Sequence, residues 1–502
     1  MPRRAETSRF VRPEGSPQAA SEEKDIDANA QVTLGGVSLW AVFATLAVLV
    51  ILAVPELGSD PWEFRPGEVS AGGPLAWLVR IADSEWDLGV IRACALLAGL
   101  LVAIAATVAL RVRTWNRRWA VALVLVVTLL LVVPATLLQV GLRDSTEPWF
   151  FTNDSTYQIE IGGSLIRGGD NPYGHDYSSS GLERFYSLDG SVTPSTLAQQ
   201  VALRHFAYFP GTALSAAAWG VIPAPFDDYR ILVALTTIAL VFVALLYKAP
   251  FGLKLAVGAA LAANPLAVRA AWFGVADAPS ILFLVLTFAL FTRSRYAAAA
   301  ACLAAAVLLK QFALAAIPFF VAMLFVVRVP AKTLWRAGAA FGVVLIAGFV
   351  PFLAADAGAL WRDTVAYGAS TYRIIGYGLA GILVETGVID NRTDPYPFGL
   401  LALLVWAPLT AWLVWNVLRA SSVWLGAAGF TISIFALLFL GRVLQNSYLV
   451  WPLAGIAVAS LLLARDRGGY GFAQPLDPVP SKAMSKPWSK FGKVTSGSKG
   501  LI

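Results

Sequence analysis

Long apolar runs, separated by short polar turns, make up most of the chain. Runs of about 20 apolar residues recur from Val32 to Ala464, and that length lets a helix cross a hydrocarbon core of roughly 30 Å. The predicted spans are 33–54, 89–110, 119–139, 229–247, 255–273, 279–292, 296–309, 312–328, 337–355, 396–417, 423–441 and 446–464. This pattern predicts an all-α polytopic membrane protein with about 12 transmembrane helices.

The composition agrees with a membrane protein. Of the 502 residues, 58% are hydrophobic and 14% are charged, whereas a soluble domain is about 25% charged. The formal net charge of +7 does not require a nucleic-acid partner, because Lys and Arg mark the cytoplasmic ends of membrane helices. We therefore expect the lipid bilayer, and no nucleic acid, as a partner.

The positions of the basic residues predict the orientation of the chain. With the N-terminus inside, every predicted inner turn is basic, as the positive-inside rule requires. These residues are Arg111, Arg113, Arg117 and Arg118, then Lys248 and Lys254, then Arg293 and Arg295, then Arg328, Lys332 and Arg336, and then Arg419. The predicted domains are a disordered cytosolic tail over 1–32, a transmembrane domain over 33–464 and a basic cytosolic tail over 465–502. The expected location is the plasma (inner) membrane, with both termini in the cytosol.

The segment Tyr208 to Phe226 is apolar but is not counted as a span. It contains Pro210, Pro223 and Pro225, and counting it would move the next basic turn to the outer face. We interpret it as a juxtamembrane or re-entrant helix. Three outer loops then follow, at about 55–88, 140–228 and 356–395, and the polar, aromatic second loop is the expected site.

Asp154 is the first candidate for a catalytic residue. Asp154 and Tyr157 stand three residues apart, which places them on one helical face. The helix is expected to stop at Gly168 and Gly169 and to lead into a turn at Asn171. A carboxylate held there could act as a general base or could only cap the helix that begins at this point. Composition alone favours capping.

Other charged residues converge on the same predicted outer face. Asp277 falls in a short outer turn, where it could also be an N-cap before Pro279, and Lys310, next to Gln311, fits either a phosphate partner or a snorkelling lysine. Arg269, Arg373 and Arg442 also fall near outer ends or in the third outer loop. Together these cations predict an anion site.

The two histidines, His175 and His205, both fall in the second outer loop. Their spacing matches no zinc signature, and Cys94 and Cys302 lie far apart in apolar runs. We expect His175 to pack in its turn, while His205 either packs or orients a substrate. A divalent metal is not supported, and no cofactor is expected.

The second outer loop resembles the first extracytoplasmic loop of GT-C class integral-membrane glycosyltransferases. The resemblance rests on a membrane helix leading into Asp154 and Tyr157, then Gly168, Gly169, Asn171, Pro172 and Tyr173, with looser matches at Tyr208 to Pro210 and Lys310 to Pro318. Within that class the chain is most similar to the polyprenol-phosphate-mannose-dependent mannosyltransferases of actinobacteria. It differs in having two additional predicted helices before this loop.

The resemblance implies a function. A GT-C-like enzyme would move a sugar, mannose first and arabinofuranose as the alternative, from a polyprenyl-phosphate donor to a cell-envelope glycan or glycolipid acceptor outside the membrane. Asp154 would be the general base of an inverting reaction, and four cations would hold the donor phosphate: Lys310, Arg269, Arg442 and Arg373. Substrate contacts would come from Tyr157, Asn171, Tyr173, His205, Tyr208, Asp277 and Gln311.

Two other functions fit the same outline. A transporter or flippase of lipid-linked sugars would share the apolar bulk and the outer basic patch, but transporters often carry internal repeats with broken helices, and no repeat is evident. A non-catalytic scaffold of an envelope-assembly complex would make Asp154 dispensable.

Overall fold

The computed structural model of the chain describes residues 33–34, 37–38, 71–81, 117–146, 151–187 and 201–467. These residues belong to one unit, Met1–Tyr470. The predicted span 89–110 and the tail 1–32 lie outside the described residues, as do most of the span 33–54, most of the first outer loop and all but the first three residues of the tail 465–502.

The described chain is helical apart from a few two-residue strands. In chain order the α-helices are α1 (Ala76–Ile81), α2 (Arg117–Asp144), α3 (Asp154–Gly168), α4 (Arg184–Ser187), α5 (Pro210–Trp219), α6 (Tyr229–Leu245), α7 (Phe251–Ala262), α8 (Pro265–Phe273), α9 (Ala278–Thr292), α10 (Tyr296–Leu309), α11 (Ile317–Val326), α12 (Ala331–Trp361), α13 (Leu379–Glu385), α14 (Phe398–Leu401), α15 (Ala407–Ala420), α16 (Trp424–Leu440) and α17 (Val450–Arg467). Short 3₁₀ turns cover Val201–Arg204, Gln311–Ala316 and Asn446–Leu449, and π-helical turns cover Arg362–Thr371 and Ala402–Trp406.

Two small strand pairs complete the secondary structure. The strands β1 (Thr33–Leu34) and β2 (Val37–Ser38) pair antiparallel, and β3 (Ile375–Gly376) pairs parallel with β4 (Val443–Leu444). The second pair joins the third predicted outer loop to the segment that follows α16. Gly376 has a φ of +88°, and a Cβ there would lie 1.8 Å from the carbonyl oxygen of Leu444, so only glycine permits this approach.

The predicted span 119–139 and every predicted span after it coincide with a described helix or helix pair. Four of the described helices are long and apolar enough to cross a membrane: Arg118–Asp144, Ala331–Ala369, Phe398–Ala420 and Asn446–Asp466. The pair α7 and α8, bent by 45°, makes a fifth if it is one span, and five more apolar helices are shorter. The prediction of an all-α membrane protein is confirmed, while the count of about 12 crossings stays a prediction.

The structure corrects the boundaries of two outer loops. The second loop begins later than predicted because α2 continues to Asp144. The third begins much later, because helical structure continues from α12 through the π-helical turn to Thr371. Asp356 leaves the helical conformation, yet its Oδ1 accepts a hydrogen bond from the N–H of Ala359 at 2.8 Å. That bond restarts the helix as an N-cap would.

Close helix packing places α3 beside the membrane helices. A Cβ at Gly163 would lie 2.7 Å from the backbone of Ala216 and Ala217, so α3 and α5 touch backbone to backbone. In the same way, a Cβ at Gly211 would lie 2.7 Å from the backbone of Leu308 at the end of α10. α5 has only ten residues, which at 1.5 Å per residue is about 15 Å. It is therefore a short helix and not a span, as predicted.

Candidate active site

Asn153 caps the N-terminus of α3. Its Oδ1 accepts hydrogen bonds from the N–H of Thr156 and the hydroxyl of Ser155, both at 2.7 Å. Its Nδ2 donates to the carbonyl of Phe273, which ties the start of α3 to the end of α8. The capping hydrogen bond therefore belongs to Asn153.

The interpretation of Asp154 as the cap is wrong for this reason. Asp154 is the first residue of α3, and its Oδ1 accepts the N–H of Ser155 at 2.7 Å. The side chain is half-buried. A carboxylate at the first turn of a helix is also stabilised by the helix dipole, which favours its charged form.

The charge of Asp154 acts on several buried tyrosines. Burial, the charge of Asp154 and the neighbouring Tyr372 and Tyr448 raise the pKa of Tyr208 well above its usual value, although a hydrogen bond with Ser155 opposes the rise. Burial and the charge of Asp154 likewise raise the pKa of Tyr372. These phenols therefore stay neutral and can donate hydrogen bonds at ordinary pH.

We call this group the tyrosine cluster, defined as Tyr208, Tyr367, Tyr372 and Tyr448. The rings of Tyr367 and Tyr372 meet at 5.1 Å between centroids. Tyr208 and Tyr448 lie beside Lys310. The cluster joins the second outer loop, the π-helical turn after α12 and the segment before α17.

Lys310 lies against the tyrosine cluster. Its Nζ is 5.2 Å from the ring centroid of Tyr208, 5.6 Å from that of Phe312 and 5.7 Å from that of Tyr448. Only 7% of the side chain is exposed. Lys310 follows the last residue of α10, where the chain is extended before the next 3₁₀ turn. The snorkelling interpretation does not fit, because the ammonium is enclosed by rings instead of reaching water.

Asp277 is the partner of Lys310. Its Oδ1 lies 3.5 Å from Nζ of Lys310 and accepts a hydrogen bond from the indole of Trp451 at 3.0 Å. Asp277 occupies the N-cap position of α9 but makes no side-chain capping bond. Its Oδ2 is buried and has no hydrogen-bond partner within the part of the chain that the structure describes. Asp277 also lines a cavity of about 20 Å³, which is room for one water.

Gln311 lies beside Lys310 and holds the loop before α5. Its Nε2 donates to the carbonyl of Ala207 at 3.3 Å. Its Oε1 is buried and, among the described residues, has no hydrogen-bond partner. Lys310 thus lies beside both Asp277 and Gln311, and a substrate role for these residues stays a prediction.

No protein-family model, curated protein or solved structure matches the chain. The function must therefore be argued from the site.

His205 pairs with an aspartate that sequence reasoning missed. Nδ1 of His205 lies 2.7 Å from Oδ1 of Asp363, whose side chain is 2% exposed. Oδ2 of Asp363 accepts the N–H groups of Gly174 and Phe206 at 2.8 and 3.2 Å. The His205 ring stacks on Tyr367 at 4.6 Å, so His205 touches the tyrosine cluster. Asp363 was overlooked because it lies more than 150 residues away, in the third predicted outer loop.

Three other predicted substrate contacts instead hold the second outer loop. The Tyr157 hydroxyl donates to the carbonyl of Ser180 at 2.9 Å, and Asn171 accepts the N–H of Tyr173 in a turn. Tyr173 is 3% exposed, and its hydroxyl donates to the carbonyl of Tyr208. His175 packs edge-on against Tyr177 at 5.0 Å, as predicted.

The three arginines predicted to hold the donor phosphate do not share the surroundings of Lys310. Arg442 is buried and donates to the carbonyls of Tyr372 and Asp394 at 2.6 and 3.1 Å, so it anchors the third loop. Arg373 is exposed, and the Arg269 guanidinium lies 5.6 Å from the ring of Phe273. A role for these arginines at a phosphate stays a prediction.

A second charged group, which meets α3 at Glu160, was not predicted. Arg143 donates to Glu160 at 2.6 and 3.0 Å and to Asp228 at 2.9 Å. Arg230 donates to Asp228 at 2.6 and 2.9 Å, and also to Gln139. We call Arg143, Glu160, Asp228 and Arg230 the ionic network. A cavity of about 320 Å³ borders it, lined also by Asp144, Arg167 and Asp227.

Burial alone would raise the pKa of Asp228, but the charges of Arg230 and Arg143 and the hydrogen bonds from Arg230 outweigh it. The pKa of Asp228 is therefore held well below its usual value. Within the described ranges, no three or more His, Cys, Asp or Glu side chains form a metal-binding group. That no metal or other cofactor is needed remains a prediction.

Proposed function

We propose that this chain is a GT-C-like membrane glycosyltransferase. It moves mannose, with arabinofuranose as the alternative, from a polyprenyl-phosphate donor to a cell-envelope glycan or glycolipid. The observation that carries the proposal is the position of Asp154, whose capping task falls to Asn153 and whose charge acts on the tyrosine cluster next to Lys310. One carboxylate and one cation thus share one aromatic site.

Asp154 is the general base in this proposal. It takes the proton from an acceptor hydroxyl, and the resulting oxygen attacks the anomeric carbon as the bond to the lipid phosphate breaks. A positioned base contributes typically 10²–10⁴-fold to a rate. A single displacement inverts the anomeric configuration.

Lys310 is the group that receives the leaving phosphate. Its distance of 3.5 Å to Asp277 exceeds the roughly 2.7–3.2 Å of a good hydrogen bond. Asp277 and three rings therefore hold the ammonium in place without taking up its donors through a short bond. A preorganised cation in a site that excludes water stabilises charge far better than one in solvent. The neutral phenols of the tyrosine cluster add hydrogen-bond donors.

The proposal includes a topology of about 12 spans in the plasma membrane, with both termini in the cytosol and the tyrosine cluster outside. Ser178 and Ser294 are both exposed and fall on opposite sides in this arrangement. A cysteine at Ser178 should react with a membrane-impermeant maleimide in intact cells, while one at Ser294 should react only after lysis. The reverse pattern would overturn the topology.

A transporter or flippase is the second candidate, and the bent pair α7 and α8 is the observation that favours it, since transporters use broken helices. Purified protein in liposomes would be given radiolabelled polyprenyl-phosphate mannose or arabinofuranose and an envelope extract. The proposal expects a labelled glycan with inverted anomeric configuration and loss of label from the donor. Movement of intact donor between leaflets without transfer would favour the flippase, and neither activity would favour a scaffold.

A further inference from the structure

The pairing of His205 with Asp363 fixes which ring nitrogen of His205 carries a proton. Oδ1 of Asp363 lies 2.7 Å from Nδ1, and the other oxygen of Asp363 accepts two backbone N–H groups. Two backbone donors favour an ionised carboxylate, which can only accept hydrogen bonds. Nδ1 is therefore the donor, and in the neutral imidazole Nε2 is an acceptor.

The orientation of the ring is also fixed. The imidazole stacks on Tyr367 at an interplanar angle of 26°, and Nε2 of Gln158 donates to the backbone carbonyl of His205 at 2.9 Å. The side chain is 22% exposed, whereas that of Asp363 is 2% exposed. Nε2 lies across the ring from Nδ1, and no hydrogen bond to it is found within the described residues.

His205 and Asp154 are linked through the tyrosine cluster. Tyr367 contacts both His205 and Tyr372, and the charge of Asp154 acts on Tyr372. His205 and Asp154 therefore border the same tyrosine cluster from two directions. A neutral acceptor beside aromatic faces suits a sugar, which offers hydroxyl donors at its edge and C–H groups on its face.

We propose that His205 binds a substrate sugar through a hydroxyl that donates to Nε2, and that Asp363 is the positioning residue that holds the proton of the neutral ring on Nδ1. This rests on the proposed function and assigns its site a specific sugar contact. The hydroxyl belongs either to the acceptor glycan or to the sugar of the donor lipid. Both present the same chemistry, and kinetics separate them.

Three variants and one control test the contact. His205→Ala removes the acceptor, and His205→Gln restores a polar atom near the position of Nε2. Asp363→Asn keeps the shape but can donate to Nδ1, which moves the ring proton to Nε2 and turns the acceptor into a donor. His175→Gln is the matched control, because His175 is the chain's other histidine and packs on Tyr177.

In the transfer assay, His205→Ala should raise the KM of one substrate about 5- to 10-fold, the effect of one lost neutral hydrogen bond, with kcat changed less than about 3-fold. A rise for the acceptor assigns the hydroxyl to the glycan, and a rise for the donor assigns it to the lipid-linked sugar. His205→Gln should recover part of the loss. Asp363→Asn should raise the same KM, yet add little in a His205→Gln background.

A binding measurement tests the sugar contact of His205 without relying on catalysis. Soluble α-mannotriose would be titrated into the purified protein with intrinsic fluorescence as the readout, and His205→Ala should bind it about 5- to 10-fold more weakly than wild type. Equal binding by both proteins, or no binding by wild type, would overturn the sugar contact. Transfer by wild type with an unchanged KM in His205→Ala would do the same while leaving the proposed function intact.

Discussion

Two charged regions border α3, and they are built in different ways. In the ionic network, both carboxylates, Glu160 and Asp228, are met by a guanidinium at hydrogen-bond distance. In the other region, the charge of Asp154 acts on neutral phenols, and polar atoms such as Oδ2 of Asp277 and Oε1 of Gln311 have no partner among the described residues. Buried polar groups are normally satisfied. The network is thus satisfied within the described residues, and a ligand at the Asp154 region would agree with the function proposed above.

The pair Arg230–Asp228 at the centre of the ionic network is shielded from water. Arg230 is 0% exposed, and Asp228 is 5% exposed. Removing one partner of such a buried pair leaves a charge without compensation, which is far more costly than the pair itself is stabilising. The comparison therefore separates variants that change stability from variants that change activity.

The largest expected effect on stability is that of Asp228→Asn. It leaves the buried Arg230 without its carboxylate, and we expect a loss of about 3–5 kcal/mol in the free energy of unfolding. Chemical denaturation in detergent, followed by circular dichroism, measures the loss. The neighbouring Asp227→Asn is the control, because Asp227 is half-buried and lies outside the network; equal losses in both variants would remove the distinction.

The second prediction concerns how stability depends on pH in the acid range. Because the folded-state pKa of Asp228 is held below its unfolded value, its stabilising contribution is present above about pH 3.9 and is lost as the pH falls below that value toward the folded pKa. The stability difference between wild type and Asp228→Asn should therefore shrink as the pH falls from about 5 to 3. A difference that stays constant over this range would contradict the assignment.

Lys310→Met should act mainly on the transfer rate, which is measured per folded molecule because the variant also leaves the buried Asp277 without its cation. Loss of one preorganised charge at a leaving group typically costs about 10²–10³ in rate, so we expect transfer to fall about 100-fold at saturating donor. The exposed Lys248 provides the control Lys248→Met, which should transfer at the wild-type rate. Wild-type transfer by Lys310→Met would limit Lys310 to a packing role.

The smallest effect belongs to the tyrosine cluster. Tyr372→Phe removes a neutral phenol that can donate one hydrogen bond, worth about 0.5–1.5 kcal/mol, so transfer should slow about 3- to 10-fold. Tyr377→Phe is the control, since Tyr377 is 71% exposed. If both variants slow transfer equally, the phenol of Tyr372 has no specific part in the reaction.

The helices were predictable because their signal is local. A run such as Tyr296 to Leu309 is apolar and alanine-rich, and such runs form helices wherever they pack. The junction at Lys310 was predictable for the same reason, because a charge between two apolar runs stands out in the sequence. Helix ends were less predictable, as the extension of helical structure past Asp356 to Thr371 shows.

The partners of the site residues were not predictable. The pair His205–Asp363 and the ionic network join residues far apart in the chain, and no local pattern sets which distant groups meet. In the sequence, Arg230 and Arg442 look like any arginine near a membrane interface. In the structure, Arg230 pairs with Asp228, whereas Arg442 donates to backbone carbonyls. That Asn153, and not Asp154, caps α3 was also visible only from its three-dimensional position.

The most direct test of the account compares Asp154→Asn with Asp228→Asn in one preparation, with the transfer rate expressed per folded molecule. We predict that Asp154→Asn keeps the thermal midpoint of wild type and loses about 1,000-fold in rate, within the range of a general base. Asp228→Asn should lose stability but keep most of its rate per folded molecule. An Asp154→Asn protein that transfers sugar at the wild-type rate, or that loses activity only in step with its unfolding, would contradict the account.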